Sequence, residues 1–303
     1  MNALPIEEIT LKRQQQYSDI FTLAYAAKEQ GLELADVHEW IRENKGRLLE
    51  QLSQHGAILF RGLPVNSDVD FDSVIRSFGL KNFTYAESLS NAVRRNRTER
   101  VFTANEAPAS VSIYLHHEMA QTPIYPSKLF FYCEQAASSG GATPLCRSDI
   151  LLQELEKQAP RFVADCAEKG VRYSNVMPGL DDPESGQGRS WRSTLSTDDK
   201  TAAEDKLRKL GYEWLWLEQD SLRVTTPVLP AIRETSSGRK VFFNQLIAAF
   251  RGWSDTRNAA EKSIRFGDNS QISAEAMAEA IALGDELSFD IPWQTGDVAL
   301  VDN

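Results

Sequence analysis

The chain has 303 residues, 42% of them hydrophobic, and carries 33 Lys and Arg against 43 Asp and Glu, a formal charge of −10. Such a length and apolar fraction can build one large core. The acidic balance repels phosphate backbones and anionic lipid, which argues against nucleic-acid binding over a broad basic face. No run of about 18 apolar residues offers a membrane span, and the start "MNALPIEEITLKRQQQ" lacks the apolar core of a signal peptide. Cys133, Cys146 and Cys166 make an odd count without metal-knuckle spacing, for which a reducing cytoplasm is the simplest setting.

In chain order, residues 36–56 place Val37, Trp40, Ile41, Leu48, Leu49 and Leu52 at near-helical spacing, with Asp36 as N-cap and Gly56 as stop. The part up to about residue 56 therefore reads as helical. "AILFRG" (57–62) reads as a short buried strand and 67–79 as a capped helix. The run "NAVRRNRTER" (91–100) is a local basic exception, either a solvated loop or a grip on an anionic group. "SIYLHHEM" (112–119) is strand-like, and "KLFFYCE" (128–134) is β-rich. "ASSGGATPLCRS" (137–148) gives a glycine turn and a short extended piece, followed by helices over 149–158 and 161–170 and the strand "VRYSNV" (171–176). Residues 177–193 form a long polar loop, a length more typical of a lid or substrate loop than of padding. A charged helix spans about 197–210, and "YEWLWLEQ", "LRVTTPVLPAI" and "KVFFNQ" read as strands. A last helix, 274–284, precedes "LSFDIPWQTGDVALVDN", where Gly296 and Asp297 make a turn. No repeat or linker interrupts the chain, and strands do not alternate strictly with helices. That pattern predicts a single domain, mainly β with flanking helices, of sandwich or jelly-roll type.

His116, His117 and Glu118 stand together among only four histidines. The zinc-protease pattern His-Glu-x-x-His fails, because position 121 is Gln. On a strand, residues i and i+2 share a face, so His116 and Glu118 would point one way and His117 the other. An imidazole and a carboxylate at adjacent corners are two-thirds of a 2-His-1-carboxylate triad, whose usual metal is Fe(II). A His-x-Glu taken alone is commonly a surface pair. A threonine, Thr143, follows "GGA" 27 residues after His116.

Several pieces then occur in one order: "HGAILFRGLPV" (55–65), "TANEAP" (103–108), "LHHEMAQTPIYPSKLFFYCE" (115–134), "GGATPL" (140–145), "GRSWRST" (188–194), "VFFNQ" (241–245) and "PWQTGDVALVDN" (292–303). In these the chain resembles the taurine dioxygenase-like, clavaminate synthase-like iron(II)/2-oxoglutarate oxygenases, from about residue 50 onward. The resemblance implies a double-stranded β-helix around one iron, with Fe(II), 2-oxoglutarate and dioxygen as cofactors. It makes His116 and Glu118 metal ligands and catalytic residues, and Thr143 a partner of the 2-oxoglutarate carboxylate. Glu118 in the carboxylate position implies oxygenation and not halogenation. The expected reaction is hydroxylation of an unactivated C–H bond of an amino-acid-like small molecule, free or carrier-bound, with desaturation or cyclisation open to the same residues. The partner is thus a small molecule, neither nucleic acid nor membrane, and the location cytoplasmic.

The family's third ligand, a histidine, and its 2-oxoglutarate arginine would follow the "GDVALVDN" strand. No histidine follows His117 here, so both are expected beyond Asn303. An inactive relative used as a scaffold, or substitution by His38, His55 or His117, are the alternatives. Substrate-pocket candidates are Asn105, Glu106, Arg189, Trp191 and Asn244. Each has a plainer reading: a turn for Asn105 and Glu106, a packed loop anchor for Trp191, and a strand-end cap for Asn244 beside Gln245. Asp302 is a candidate to support a ligand.

Overall fold

The computed structural model describes residues 6–28, 31–106, 108, 110–185, 187–252, 257–258 and 263–303. Its largest sheet has five strands in the order Ile6–Glu8, Leu23–Ala27, Ala57–Arg61, Val298–Asp302 and Lys128–Tyr132. Leu23–Ala27 and Ala57–Arg61 pair in parallel; the other three pairings are antiparallel. A second sheet orders Ile264–Phe266, Val171–Met177, Leu222–Thr225 and Glu213–Trp216, all antiparallel. Pro144–Cys146 pairs with Ser288–Asp290 as a separate ribbon.

The two-residue period of a strand sorts side chains between the two faces of the large sheet. Tyr25, Ile58, Phe60, Val298 and Leu300 face the helices Leu34–His55 and Asp68–Ser77 in one core. Ala24, Ala57, Leu59 and Ala299 face the other way, onto Phe289 and Ile291. The first helix forms because Val37, Trp40, Ile41, Leu48 and Leu52 fall on one stripe and are all buried. Each such side chain contributes roughly 1.5–3 kcal/mol on burial. A Glu33–Asp36 capping box starts it, and Gly56, at φ +76°, ends it.

The described residues are sheet-rich with flanking helices, although the helices hold more of them than the strands do. The predicted helical start is corrected: Ile6–Glu8, Gln15–Gln16, Ile20–Phe21 and Leu23–Ala27 precede the helix as strands. Leu23, Ala24 and Tyr25 are buried by pairing with a strand more than thirty residues on, which no local period announces. "SIYLHHEM" is also corrected, because residues 112–119 pair with no strand. The loop 177–193 folds against the body and contains the start of a helix, Trp191–Leu195, capped by Ser190. The Asp182 amide donates to Gly188 O, and a Cβ at Gly188 would sit 1.7 Å from Asp182 O, so only glycine closes this loop. "KVFFNQ" is a strand only at Lys240–Val241 and leads into a helix, Leu246–Gly252.

Candidate active site

A cavity of about 1040 Å³ opens beside the second face of the large sheet. Leu129, Phe131 and Val301 wall it on the sheet side, and Leu151, Phe242 and Ile247 on the helical side. His116, His117 and Glu118 all line it.

The backbone holding them is shaped by fixed contacts, not by a ladder. Met119 takes a left-handed φ of +60°, uncommon outside glycine and frequent at functional sites. The Ala120 amide donates back to His117 O and that of Thr122 to Met119 O, closing the turn. Asn303 clamps its front: the Glu118 amide donates to Asn303 Oδ1 at 2.7 Å, and Asn303 Nδ2 donates to Glu118 O at 3.0 Å and Pro126 O at 2.6 Å. Gln245 Nε2 donates to His117 O at 3.1 Å.

His116 Nδ1 donates to the Tyr114 carbonyl at 2.7 Å, which fixes the ring and leaves Nε2 toward Glu118 Oε2, 3.6 Å away. A ring nitrogen tied to a carbonyl is how metal-binding imidazoles are oriented. Burial opposes charge on His116, but the Glu118 carboxylate outweighs it and raises the pKa. Burial also pushes Glu118 up; the charge of the Arg94 guanidinium, 3.5 Å from Oε2, with His116 and Ser90 beside it, outweighs that and holds the carboxyl down at about 2. An anionic oxygen therefore faces an imidazole nitrogen across a gap that a cation would bridge. This donor set fits two adjacent corners of a metal site. Among the described residues, no third His, Cys, Asp or Glu joins them in a metal-binding group.

Of the other histidines, His38 and His55 lie off the cavity. His38 bonds to Ser73 Oγ and His55 to the Ile20 carbonyl. His117 does line it, contrary to the strand-based expectation that it faces away. Its ring lies against Phe243, centroids 4.6 Å apart, and burial first, then neighbouring His116, lowers its pKa to about 4.

Thr143 lines the cavity just after Gly140 and Gly141, which both take positive φ. Its hydroxyl accepts from Trp293 Nε1 at 2.8 Å, so the hydroxyl proton is left to donate elsewhere. Asn105 also lines the cavity. Asn244 reaches the wall, but its amide caps the next helix, accepting from the Leu246 amide at 3.0 Å and donating to Ala231 O at 3.1 Å. Three pocket assignments are corrected. Glu106 lies off the cavity and pairs with Arg95 at 3.2 Å. Trp191 is fully buried in a hydrophobic cluster with Leu195, Leu207 and Leu222. Arg189 is 2% exposed, spends its guanidinium on the carbonyls of Tyr85, Ser88, Ser90 and Ser193, and stacks on Tyr85. Asp302 lines the cavity and pairs with Lys128 at 2.5 Å.

Sequence reasoning missed Arg94, Ser90, Asn303 and Trp293. The run 91–100 contained the signal for Arg94. Arg95, Arg97 and Arg100 pair with Glu106, with Asp68 and Glu134, and with Asp72 and Glu99, while Arg94 alone of the four lines the cavity.

An ionised carboxylate beside an oriented imidazole on the wall of a large cavity is the donor pair that a metal-dependent enzyme of the His-x-carboxylate class uses. The chain matches the family "Taurine catabolism dioxygenase TauD, TfdA family" over residues 19–303, and it belongs to that family. It is a 2-oxoglutarate-dependent dioxygenase, and its cofactors are Fe(II), 2-oxoglutarate and dioxygen. It is 40% identical over 264 residues to a clavaminate synthase-like protein of Arabidopsis thaliana, covering 87% of this chain and 79% of that protein. It is 29% identical over 270 residues to the dapdiamide synthesis protein DdaC of Enterobacter agglomerans, covering 84% and 77%. The crystal structure of the PvcB protein from Pseudomonas aeruginosa shares its fold, with a TM-score of 0.52 at 12% identity, over 100% of this chain and 84% of that one. Among the described residues no helix is long and apolar enough to cross a membrane.

Proposed function

We propose that this dioxygenase hydroxylates an unactivated C–H bond of an amino-acid-like small molecule, free or carrier-bound, in biosynthesis. His116 and Glu118 hold the metal, and Thr143 holds 2-oxoglutarate. The observation that carries this reading is the His116–Glu118 pair on the wall of the large cavity. The name of the dapdiamide synthesis relative supports a biosynthetic setting. We read the chain as one oxygenase domain whose two sheets are those of a double-stranded β-helix. We place it in the cytoplasm, a reducing setting in which an odd set of three cysteines without metal-knuckle spacing stays as thiols.

Bound Fe(II) with 2-oxoglutarate and dioxygen supplies the oxidising power for the C–H bond. The chain supplies placement. Tyr114 O sets the His116 ring so that Nε2 faces the metal position. Arg94 keeps Glu118 ionised, and Asn303 holds its backbone. Trp293 turns the Thr143 hydroxyl so that its proton can meet a carboxylate. Asn105 meets a polar group of the substrate. Leu129, Phe131, Val301 and Ile247 keep the walls apolar and exclude water.

Anaerobic titration of the protein with Fe(II) and 2-oxoglutarate tests this. The visible metal-to-ligand charge-transfer band should appear and should vanish in Glu118→Ala. A band that survives Glu118→Ala removes His116 and Glu118 as the metal pair.

A further inference from the structure

The cavity wall beside Glu118 carries carboxamides that the chemistry above does not use. Gln121 closes the turn begun by Glu118, is 7% exposed, and lines the cavity. Gln187, 8% exposed, lines it as well. The Oε1 atoms of both are buried without a partner, and among the described residues neither side chain makes a hydrogen bond. Asn91 lines the same cavity, next in sequence to Ser90, which lines it too. Its Oδ1 accepts from Asn175 Nδ2 at 3.2 Å, which fixes the amide.

Buried polar groups are rarely left unpaired, because each loses its water without replacement. Two such amides in the lining of one substrate-sized cavity point to a ligand as the missing partner. A side chamber of about 30 Å³, lined by Asn91, Gln121 and Asn175, offers a partial alternative. It has room for a water, which needs about 10–15 Å³. That water would satisfy Asn175 Oδ1 and one end of Gln121. Gln121 also lines the main cavity, and Gln187 does not line the chamber.

The chemistry of the wall selects the occupant. A carboxamide presents a donor and an acceptor and carries no charge. A carboxylate would meet the donors and leave the acceptors orphaned; an ammonium would do the reverse. A neutral amide matches both ends. We propose that Asn91, Gln121 and Gln187 form a subsite that holds a carboxamide or peptide-amide group of the substrate and so fixes which part of it lies beside Glu118. The inference rests on the oxygenase reading only for the statement that the occupant is the substrate.

The test uses metal-free protein, so it stands or falls apart from the Fe(II) titration. The side-chain NH₂ resonances are followed by ¹H–¹⁵N NMR while N-acetyl-L-alaninamide, or its isosteric acid N-acetyl-L-alanine, is added. The amide should shift the Gln121 and Asn91 resonances and bind about tenfold tighter than the acid, the upper end of the net contribution of one hydrogen bond. Gln121→Leu should abolish that preference while leaving the melting temperature unchanged or higher, because it removes an unpaired buried group. Gln187→Leu is the second variant, should Gln121→Leu not fold, and should weaken the preference too. Equal binding of amide and acid, or no shift of these resonances, overturns the proposal. So does a Gln121→Leu protein that melts lower yet keeps the preference, since Gln121 would then be structural and bridged by internal water.

Discussion

Two charged clusters line the same cavity, and they are built in opposite ways. At one end Arg147 grips Asp149 through two bonds of 2.8 and 2.6 Å, Arg239 adds a contact at 3.5 Å, and both arginines donate to the Gln54 carbonyl. At the other, Glu118 Oε2 meets Arg94 and His116 Nε2 only at 3.5 and 3.6 Å. In the first cluster the nearly buried Arg147 and Asp149 side chains grip one another closely, while Arg239 bonds only through Nη1 and stays partly exposed on the cavity wall. The second is held firmly from behind, by Tyr114 O and Asn303, while its outer atoms stay apart. Charge does not tell them apart; how closely the carboxylate is gripped does, at 2.6–2.8 Å for Asp149 and 3.5–3.6 Å for Glu118.

Substitutions at the two ends should therefore fail differently. The largest functional effect belongs to Glu118→Ala, which should reduce turnover to background and abolish the Fe(II)–2-oxoglutarate band with the far-UV circular dichroism unchanged. Asp149→Asn should do the reverse. It leaves Arg147 buried without its carboxylate and should cost about 3 kcal/mol, as breaking a buried pair does, read by urea unfolding, while the charge-transfer band persists. Its pH signature has a fixed sign. Burial pushes Asp149 up, but the bonds from Arg147 and Arg239 outweigh it and lower the pKa. The stabilisation is therefore present above the unfolded value of about 3.9 and is lost as pH falls through the lower folded value. The melting temperature of the wild type should drop more steeply below about pH 4 than that of Asp149→Asn.

Asn303→Ala probes the support behind the second cluster. It should weaken metal affinity about tenfold, the low end for groups that orient ligands, with a stability loss of about 1 kcal/mol, both measurable by Co(II) titration and chemical unfolding. The smallest effect belongs to Glu106→Gln. Its carboxylate pairs with Arg95 away from the cavity, so activity should hold and stability should stay within about 0.5 kcal/mol. A clear loss of turnover there would return Glu106 to the substrate wall and blur the contrast between the two clusters.

By itself, the sequence determined the elements whose periods are internal. The helices Leu34–His55, Asp68–Ser77 and Ala274–Glu286 and the strand Ala57–Arg61 follow from apolar spacing and caps in their own residues. It also set His116 and Glu118 side by side, a local fact of residue type and spacing, and carried the family resemblance, which alone singled out Thr143 and which the comparison with the TauD, TfdA family bears out. The tertiary structure decided whatever depends on a distant partner. Leu23–Ala27 became a strand by pairing with Ala57–Arg61, and residues 112–119 did not become one because Asn303, Gln245 and a left-handed Met119 shape them. Arg94 and Arg189 look alike in sequence. Only packing turned one toward Glu118 and drove the other into a nest of backbone carbonyls, since a guanidinium goes wherever its donors find acceptors at least cost in lost water.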